Sequence, residues 1–280
     1  MTVTIIKNEG PTIALLAQMN VERSGLEAIV EWVAKHRPEC LPENYAYPSD
    51  LFPHNSIRAD GSRVTDNEML VEIAGRKCYD SWGAKAGKKT NAEYIAHTQS
   101  GAVPHASILY HAKMSFFFAG VSRRVSHEII RNYVGADRDE EGSPSQESTR
   151  FTHHYGWFVC PPRYLGDKRR EDFFAVSMSA AYKAYLTAVE NDVAQFERDN
   201  GKAPTSLDRK RIYEAASSFL PHQAETSFVW TTNPMAIAKF IRERSDASAD
   251  LEIQRFAKKW RSVVMAVAPG LFPQPWMQEA

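Results

Sequence analysis

A chain of 280 residues, 43% of them apolar and 24% charged, can bury roughly three quarters of its unfolded surface, which excludes a disordered or peptide-like protein. Lys plus Arg and Asp plus Glu both number 34, so no net field draws the chain to nucleic acid or anionic lipid, and any basic site must be local. Cys40, Cys78 and Cys160 are far apart and form no CxxC pair, which argues against a zinc knuckle or a redox dithiol.

In chain order, "TVTII" at the start reads as a β-strand by its β-branched content. Its flank lacks the basic start and apolar run of a signal peptide, and nowhere do 18 apolar residues run together, so a soluble, cytoplasmic protein is expected. "GLEAIVEWVAKH" predicts a helix with Leu26, Ile29, Val30 and Val33 on one face. Between Pro38 and Arg63 prolines, Asn, Asp and Ser make the text loop-like. Helical pattern resumes over "EMLVEIAGRKCYDSW" and again over "NAEYIAHTQSG", which Gly101 could end.

"MSFFFAGV", residues 114 to 121, predicts a buried strand, and "YGWFVCPP", residues 155 to 162, a second one closed by its prolines. From about 169 onward Phe174, Met178, Tyr182, Tyr185, Val189, Val193 and Phe196 recur at steps of three and four, the core stripe of a long amphipathic helix. Thr205 with Asp208 predicts a capping box for a second helix, Asn233-Pro234 a cap and first-turn proline for a third, and Ser248 the start of a fourth. The fold class expected is α+β, a central mostly antiparallel sheet flanked by helices with a helical C-terminal half, in a single domain over 1–280. Residues 1–65 read as a divergent N-terminal extension of that domain.

Residues 122 to 151, "SRRVSHEIIRNYVGADRDEEGSPSQESTRF", hold five arginines. As a helix, 122–133 would put Arg124, His127 and Arg131 on a polar stripe while Val125 and Ile129 face the core. Such a stripe is most often a solvated face. Downstream, Ser145, Gln146, Ser148 and Arg150 offer short donors and a guanidinium within six residues, the chemistry that meets a phosphate dianion. Asp137, Asp139, Glu141 and Gly142 imitate part of a calcium loop, but its twelfth position would be Ser148 where a bidentate Glu is required, so no metal is expected.

Together these residues resemble the flavin-dependent thymidylate synthases. The resemblance runs from about Glu72 to Phe272 through "AGRKCYDS", "PHASILYHAKMSFFFAGVSRRVSHEIIR", "SPSQESTRF", "EAASSFLP", "FVWTTN" and "RSDASADLEIQ". Its Arg-His-Arg triplet is here Arg131-Asn132-Tyr133, and the spacer to Ser148 is about seven residues longer. A family arginine is here Ser217, a histidine is Ser248, and Asp250 takes a glutamine position.

The resemblance implies the thymidylate synthase-complementing protein fold, a homotetramer with sites at subunit junctions, and no partnership with nucleic acid or membrane. It implies FAD as cofactor, NADPH and methylenetetrahydrofolate as co-substrates, and one-carbon transfer to C5 of dUMP without a cysteine nucleophile. Catalysis would fall to Arg244 and Ser148, and nucleotide binding to Arg131, Gln146, Ser148, Arg150 and Glu128. Flavin contacts would come from His111, Arg131, Asn132, Lys239, Arg244 and Ser248. Gln146 and Ser148 would donate to phosphate or base edge, and Arg138 or Lys239 could replace the charge missing at Ser217. Taken without the resemblance, His111 reads as a satisfied core histidine. UMP or a modified pyrimidine nucleotide as substrate, hydroxymethylation, and a catalytically silent flavin- or nucleotide-binding relative stay open beside dUMP methylation.

Overall fold

The computed structural model describes residues 3–7, 10–41, 58, 61–79, 81–82, 89–100, 105–133, 144–272 and 277. A four-stranded antiparallel sheet forms its centre, in the order β2 (Thr12–Gln18), β3 (Met114–Ser122), β6 (Glu225–Thr232), β4 (Ser145–Gln146). β1 (Thr4–Ile6) pairs in parallel with β5 (Trp157–Val159) as a separate two-stranded ribbon. The fold is therefore α+β with a mostly antiparallel centre, as expected.

Three strands escaped the sequence reading: β2, β6 and the two-residue β4. β2 and β6 flank β3 on either side, and β6 was quoted only as a motif. β6 alternates, with Thr226, Phe228, Trp230 and Thr232 buried, while β2 buries only Ile13 below one tenth exposure and carries no clear period. The expected strand over 155 to 162 shrinks to Trp157–Val159, for a reason given with the site below.

The inward face of β3 and β6 carries Phe116, Phe118, Phe228 and Trp230 in register. Against it lie α7 (Pro234–Arg244) and α8 (Leu251–Val267), which contribute Ile237, Phe240, Phe256 and Trp260. Ring centroids of Phe118 stand 4.8 Å from Phe228, 5.2 Å from Phe256 and 5.2 Å from Trp260, an aromatic cluster that makes this the dry centre of the molecule. Before it ends at Ser122, β3 is interrupted by a bulge between Phe118 and Val121. There Gly120 takes a left-handed φ of 70° and gives its N–H to Glu225 Oε1 at 2.8 Å. The chain then turns straight into α4 (Arg123–Tyr133), whose Val125 and Ile129 enter the core as expected.

A second core lies under α5 (Lys168–Asn200), where Phe174, Met178, Tyr182 and Tyr185 of the stripe are buried against Phe158 and Cys160. Val189, Val193 and Phe196 are only half-buried, so the far end of this helix stands off the core. A third, small core joins α1 (Arg23–His36) through Val30 and Val33 to Cys40 and Trp82. α2 (Asp66–Tyr79) and α3 (Asn91–Gln99) pack together beside it.

The caps at Thr205–Asp208 and Asn233 form as expected, opening α6 (Ser206–Ala216) and α7. Ser248 does not open α8. Asp246 Oδ1 accepts both the Ser248 N–H at 2.7 Å and its hydroxyl, holding that serine in the preceding turn, and Asp250 caps the helix instead. The three cysteines are free thiols, Cys40 and Cys160 buried and Cys78 exposed. Among the described residues no helix is long and apolar enough to cross a membrane.

Candidate functional site

α4 sits between two sets of polar groups because β3 delivers it against the residues just before β6: the Arg123 N–H donates to Ala224 O at 3.0 Å and that of Arg124 to His222 O at 3.1 Å. One face of α4 meets the turn between α7 and α8. Arg124 pairs with Asp250 Oδ1 at 3.1 Å and Glu252 Oε2 at 3.4 Å, and Glu128, one turn on, pairs with Arg244 at 3.4 Å. The expected solvated stripe is therefore partly engaged, while His127 and Arg131 remain exposed.

Glu252 anchors this face from below. Its carboxylate accepts the Ser122 N–H and hydroxyl, both at 2.9 Å, and burial nonetheless raises its pKa above the ordinary carboxylate value.

The other side of α4 holds the turn from 144 to 156. Its entry is fixed by sheet pairing, Ser145 with Val229 and Gln146 with Phe228, followed by Glu147 N–H to Ser227 O at 3.0 Å. The amide nitrogen of Gln146 donates to Ser126 Oγ at 2.9 Å and Thr226 Oγ1 at 3.0 Å, hydroxyls that are both buried. Arg123 reaches across to Glu147 O at 2.7 Å. Burial lowers the pKa of that guanidinium against the pull of Glu147 and Glu225, and burial raises the pKa of Glu225.

At the apex, Ser148 O accepts the Phe151 and Thr152 N–H groups at 3.1 and 3.0 Å and the Thr152 hydroxyl at 2.8 Å. The Arg150 N–H closes onto Ser148 Oγ at 3.3 Å. The Arg150 guanidinium, half-exposed, meets Glu214 Oε2 of α6 through Nε at 3.0 Å and one terminal nitrogen at 2.8 Å. One helical turn earlier, Lys210 stands 4.0 Å over the exposed Phe151 ring.

The exit of the turn explains the shortened strand. Tyr185 of α5 accepts the His154 N–H at 3.2 Å and the Tyr182 hydroxyl donates to His154 O at 3.1 Å, so the backbone just before the strand is held by side chains. Gly156 then bends away with φ 79°, and a Cβ there would fall 2.7 Å from the Tyr182 ring. Burial pushes His154 down to about 4, with Arg123 and His153 adding to the effect.

The structure thus gathers the sequence-derived residues into two groups. Gln146, Ser148 and Arg150 share the turn against α6, while Glu128 of α4 pairs with Arg244 and Ser248 lies in the α7–α8 turn that follows it. Arg131 ends α4 exposed, and Lys239 is half-buried on α7. His111 is exposed, ending a short turn that packs on α7 and α2, which overturns the core-histidine reading: its neighbours Leu109 and Ala112 fill the core instead. Gly101, Arg138, the acidic loop 134–143 and the Asn132 side chain lie outside the described residues. Among the described residues no group of three His, Cys, Asp or Glu side chains is placed to hold a metal ion.

Sequence reasoning missed Ser126, Thr226, Glu214 and the Tyr182–Tyr185 pair as neighbours of the site. The tyrosines carried a signal, a hydroxyl at each of two adjacent stripe positions, but a helical period reads both only as core. Glu214 carried only its place at the head of "EAASSFLP", which does not say what it pairs with.

The family model described as thymidylate synthase complementing protein matches residues 62–270. A flavin-dependent thymidylate synthase of Mycobacterium sp. (strain KMS) is 38% identical over 208 residues, 72% of this chain and 78% of that protein. The synthases of the same name from Mycolicibacterium vanbaalenii and Mycobacterium avium are 36% identical over 222 residues and 35% over 220, in each case 78% of this chain and 81% of theirs.

Proposed function

Because the chain belongs to the thymidylate synthase complementing protein family, we propose that it transfers a one-carbon unit to C5 of a uridine nucleotide, dUMP by default, with FAD bound. The family match over 62–270 carries the reading, and the 144–156 turn supports it on physical grounds. The Ser148 hydroxyl and the half-exposed Arg150 guanidinium stand together there, a pairing that suits a phosphate dianion.

The donor set also fits a flavin nucleotide. Arg131 is exposed at the end of α4, and Arg244, Lys239 and the exposed His111 lie on or against α7, which gives cationic and hydrogen-bonding groups for a pyrophosphate and an electron-rich ring. When bound and reduced, the flavin would supply a hydride, with NADPH as its reductant and methylenetetrahydrofolate as the carbon donor. Arg131 and Asn132, Lys239, Arg244, Ser248 and His111 are the residues proposed to hold it.

On the chain's side, Arg150 and Arg131 neutralise the nucleotide phosphate and Ser148 orients it. Both amide hydrogens of Gln146 are engaged by Ser126 and Thr226, so Gln146 offers the base edge its carbonyl oxygen, an acceptor for a ring N–H. Arg244, held by Glu128, places a fixed positive charge for the electron density that builds on the pyrimidine ring as C5 reacts. Assembly as a homotetramer in the cytoplasm belongs to the same proposal.

The test is the visible absorption spectrum of the purified protein with added FAD, followed by titration with dUMP and, separately, UMP. Flavin bands that shift with one nucleotide support the enzyme and name the substrate for turnover and product mass spectrometry. Absence of flavin binding in every condition overturns the enzyme reading in favour of a nucleotide-binding relative.

A further inference from the structure

The turn that carries Gln146, Ser148 and Arg150 is fixed at its two ends by different means. Its entry is a strand of the central sheet. At its exit Gly156 O accepts the Thr4 N–H of β1 at 2.9 Å, while the His154 N–H and C=O, two residues earlier, are both satisfied by side chains. Tyr185 Oη accepts the His154 N–H at 3.2 Å and lies 3.2 Å from His153 Nδ1, and the Tyr182 hydroxyl donates to His154 O at 3.1 Å. The Gly156 N–H in turn donates to His154 Nδ1 at 3.1 Å.

Tyr185 accepts the His154 N–H, and the arrangement that also uses its own proton has it donate to His153 Nδ1, with that nitrogen unprotonated. Burial lowers the His153 pKa, which keeps the ring neutral as this arrangement requires. His154 also accepts at Nδ1 and is neutral for the same reason. The two tyrosine rings lie stacked at 6.0 Å and 14°, one helical turn apart on a 33-residue helix, and Tyr185 is 1% exposed. A long helix is a rigid body over such distances. Its hydroxyls therefore hold the chain two residues after Thr152, whose own N–H and hydroxyl hold the Ser148 carbonyl.

We propose that Tyr182 and Tyr185, acting through His153 and His154, are positioning residues that hold the 146–152 turn in its nucleotide-binding shape. The inference rests on the reading of that turn as the nucleotide site. Neither tyrosine touches the nucleotide; together they fix where Ser148 and Arg150 stand relative to the end anchored in the sheet.

Removing the Tyr185 hydroxyl leaves the His154 N–H without its acceptor and lets the exit of the turn drift, so the effect should fall on nucleotide affinity before it falls on the bound reaction. Calorimetric titration of flavin-loaded Tyr185→Phe with dUMP should show affinity about fivefold to tenfold weaker, the cost of one or two hydrogen bonds. Flavin absorption should be unchanged, and steady-state kinetics should show KM for the nucleotide raised with kcat changed far less. Tyr182→Phe, which loses one bond and leaves Tyr185 in place, should weaken affinity about threefold; it also carries the test if Tyr185→Phe fails to fold.

Arg150→Met is the control that separates the two claims. If Arg150→Met abolishes binding and both tyrosine variants bind as the unaltered protein does, the positioning role is overturned and the site stands. If Arg150→Met binds dUMP normally, the nucleotide reading of the turn is overturned, and the positioning role falls with it.

Discussion

Two arginine–glutamate pairs in this chain have the same chemistry and opposite surroundings. Arg76 is fully buried, donating to Glu72 Oε1 through Nε at 2.7 Å and to Ser81 O at 3.0 Å, with its guanidinium 4.5 Å from the Tyr94 ring centroid. The other oxygen of Glu72 accepts from Asn91 at 2.9 Å, so the pair ties α2 to α3. Arg150 meets one carboxylate oxygen of Glu214, and both side chains are 51% exposed. A charge enclosed on every side by fixed partners belongs to the scaffold. A charge with one exposed partner can exchange it for a ligand at little cost, and that difference in surroundings, not in residue type, separates framework from site.

The strongest way to break the contrast is at the buried end. Arg76→Met leaves Glu72 ionised and enclosed, so unfolding should occur about 3 to 5 kcal/mol more easily, measured by urea denaturation; a loss under about 1 kcal/mol would mean that water reaches the pair. At the exposed end, Arg150→Ala should change stability by less than about 1 kcal/mol. It should cost dUMP binding about 2 kcal/mol or more, roughly 30-fold in affinity. Equal nucleotide affinity in the variant and the unaltered protein would remove Arg150 from the site.

The turn between these extremes should respond to acid. His154 has a folded pKa of about 4, below the ordinary 6.5 of the unfolded chain, so the unfolded state binds its proton first. Stability present above the ordinary value is therefore lost as pH falls toward about 4. His154→Asn keeps an acceptor for the Gly156 N–H but cannot titrate, and should flatten the fall in thermal midpoint across that window. An identical pH profile would show that other groups carry the acid sensitivity. The smallest effect is expected at Glu214→Gln. Stability should move by less than about 1 kcal/mol, while dUMP affinity should tighten about twofold to threefold as Arg150 loses a competing anion. Weakened affinity would instead make Glu214 the residue that aims Arg150.

Much of the scaffold was legible because it obeys one period at a time. β3 reads from its short apolar run, α5 from its three-and-four stripe, and the caps at Thr205 and Asn233 from local hydrogen-bond chemistry that needs no distant partner. Ser248 shows where such local reading stops. Asp246 and Asp250 compete with it for the same backbone groups, and only the path of the turn decides that Asp250 takes the cap. The strand expected over 155 to 162 is trimmed to Trp157–Val159 because Gly156 bends the chain at a φ of 79° before it and Pro161 and Pro162 turn it away after it.

The sequence by itself determined the family and the α+β class, and it supplied the residue types of the proposed site, because motif order and hydrophobic period are properties of neighbours along the chain. Only the tertiary structure decided which charges are enclosed and which are open, and which distant groups orient each site residue. Arg76 and Arg150 are alike as letters, as are Tyr182 and any other core tyrosine. Their roles come from desolvation and from hydrogen-bond partners brought together across the fold, and neither exists until the chain has closed around them.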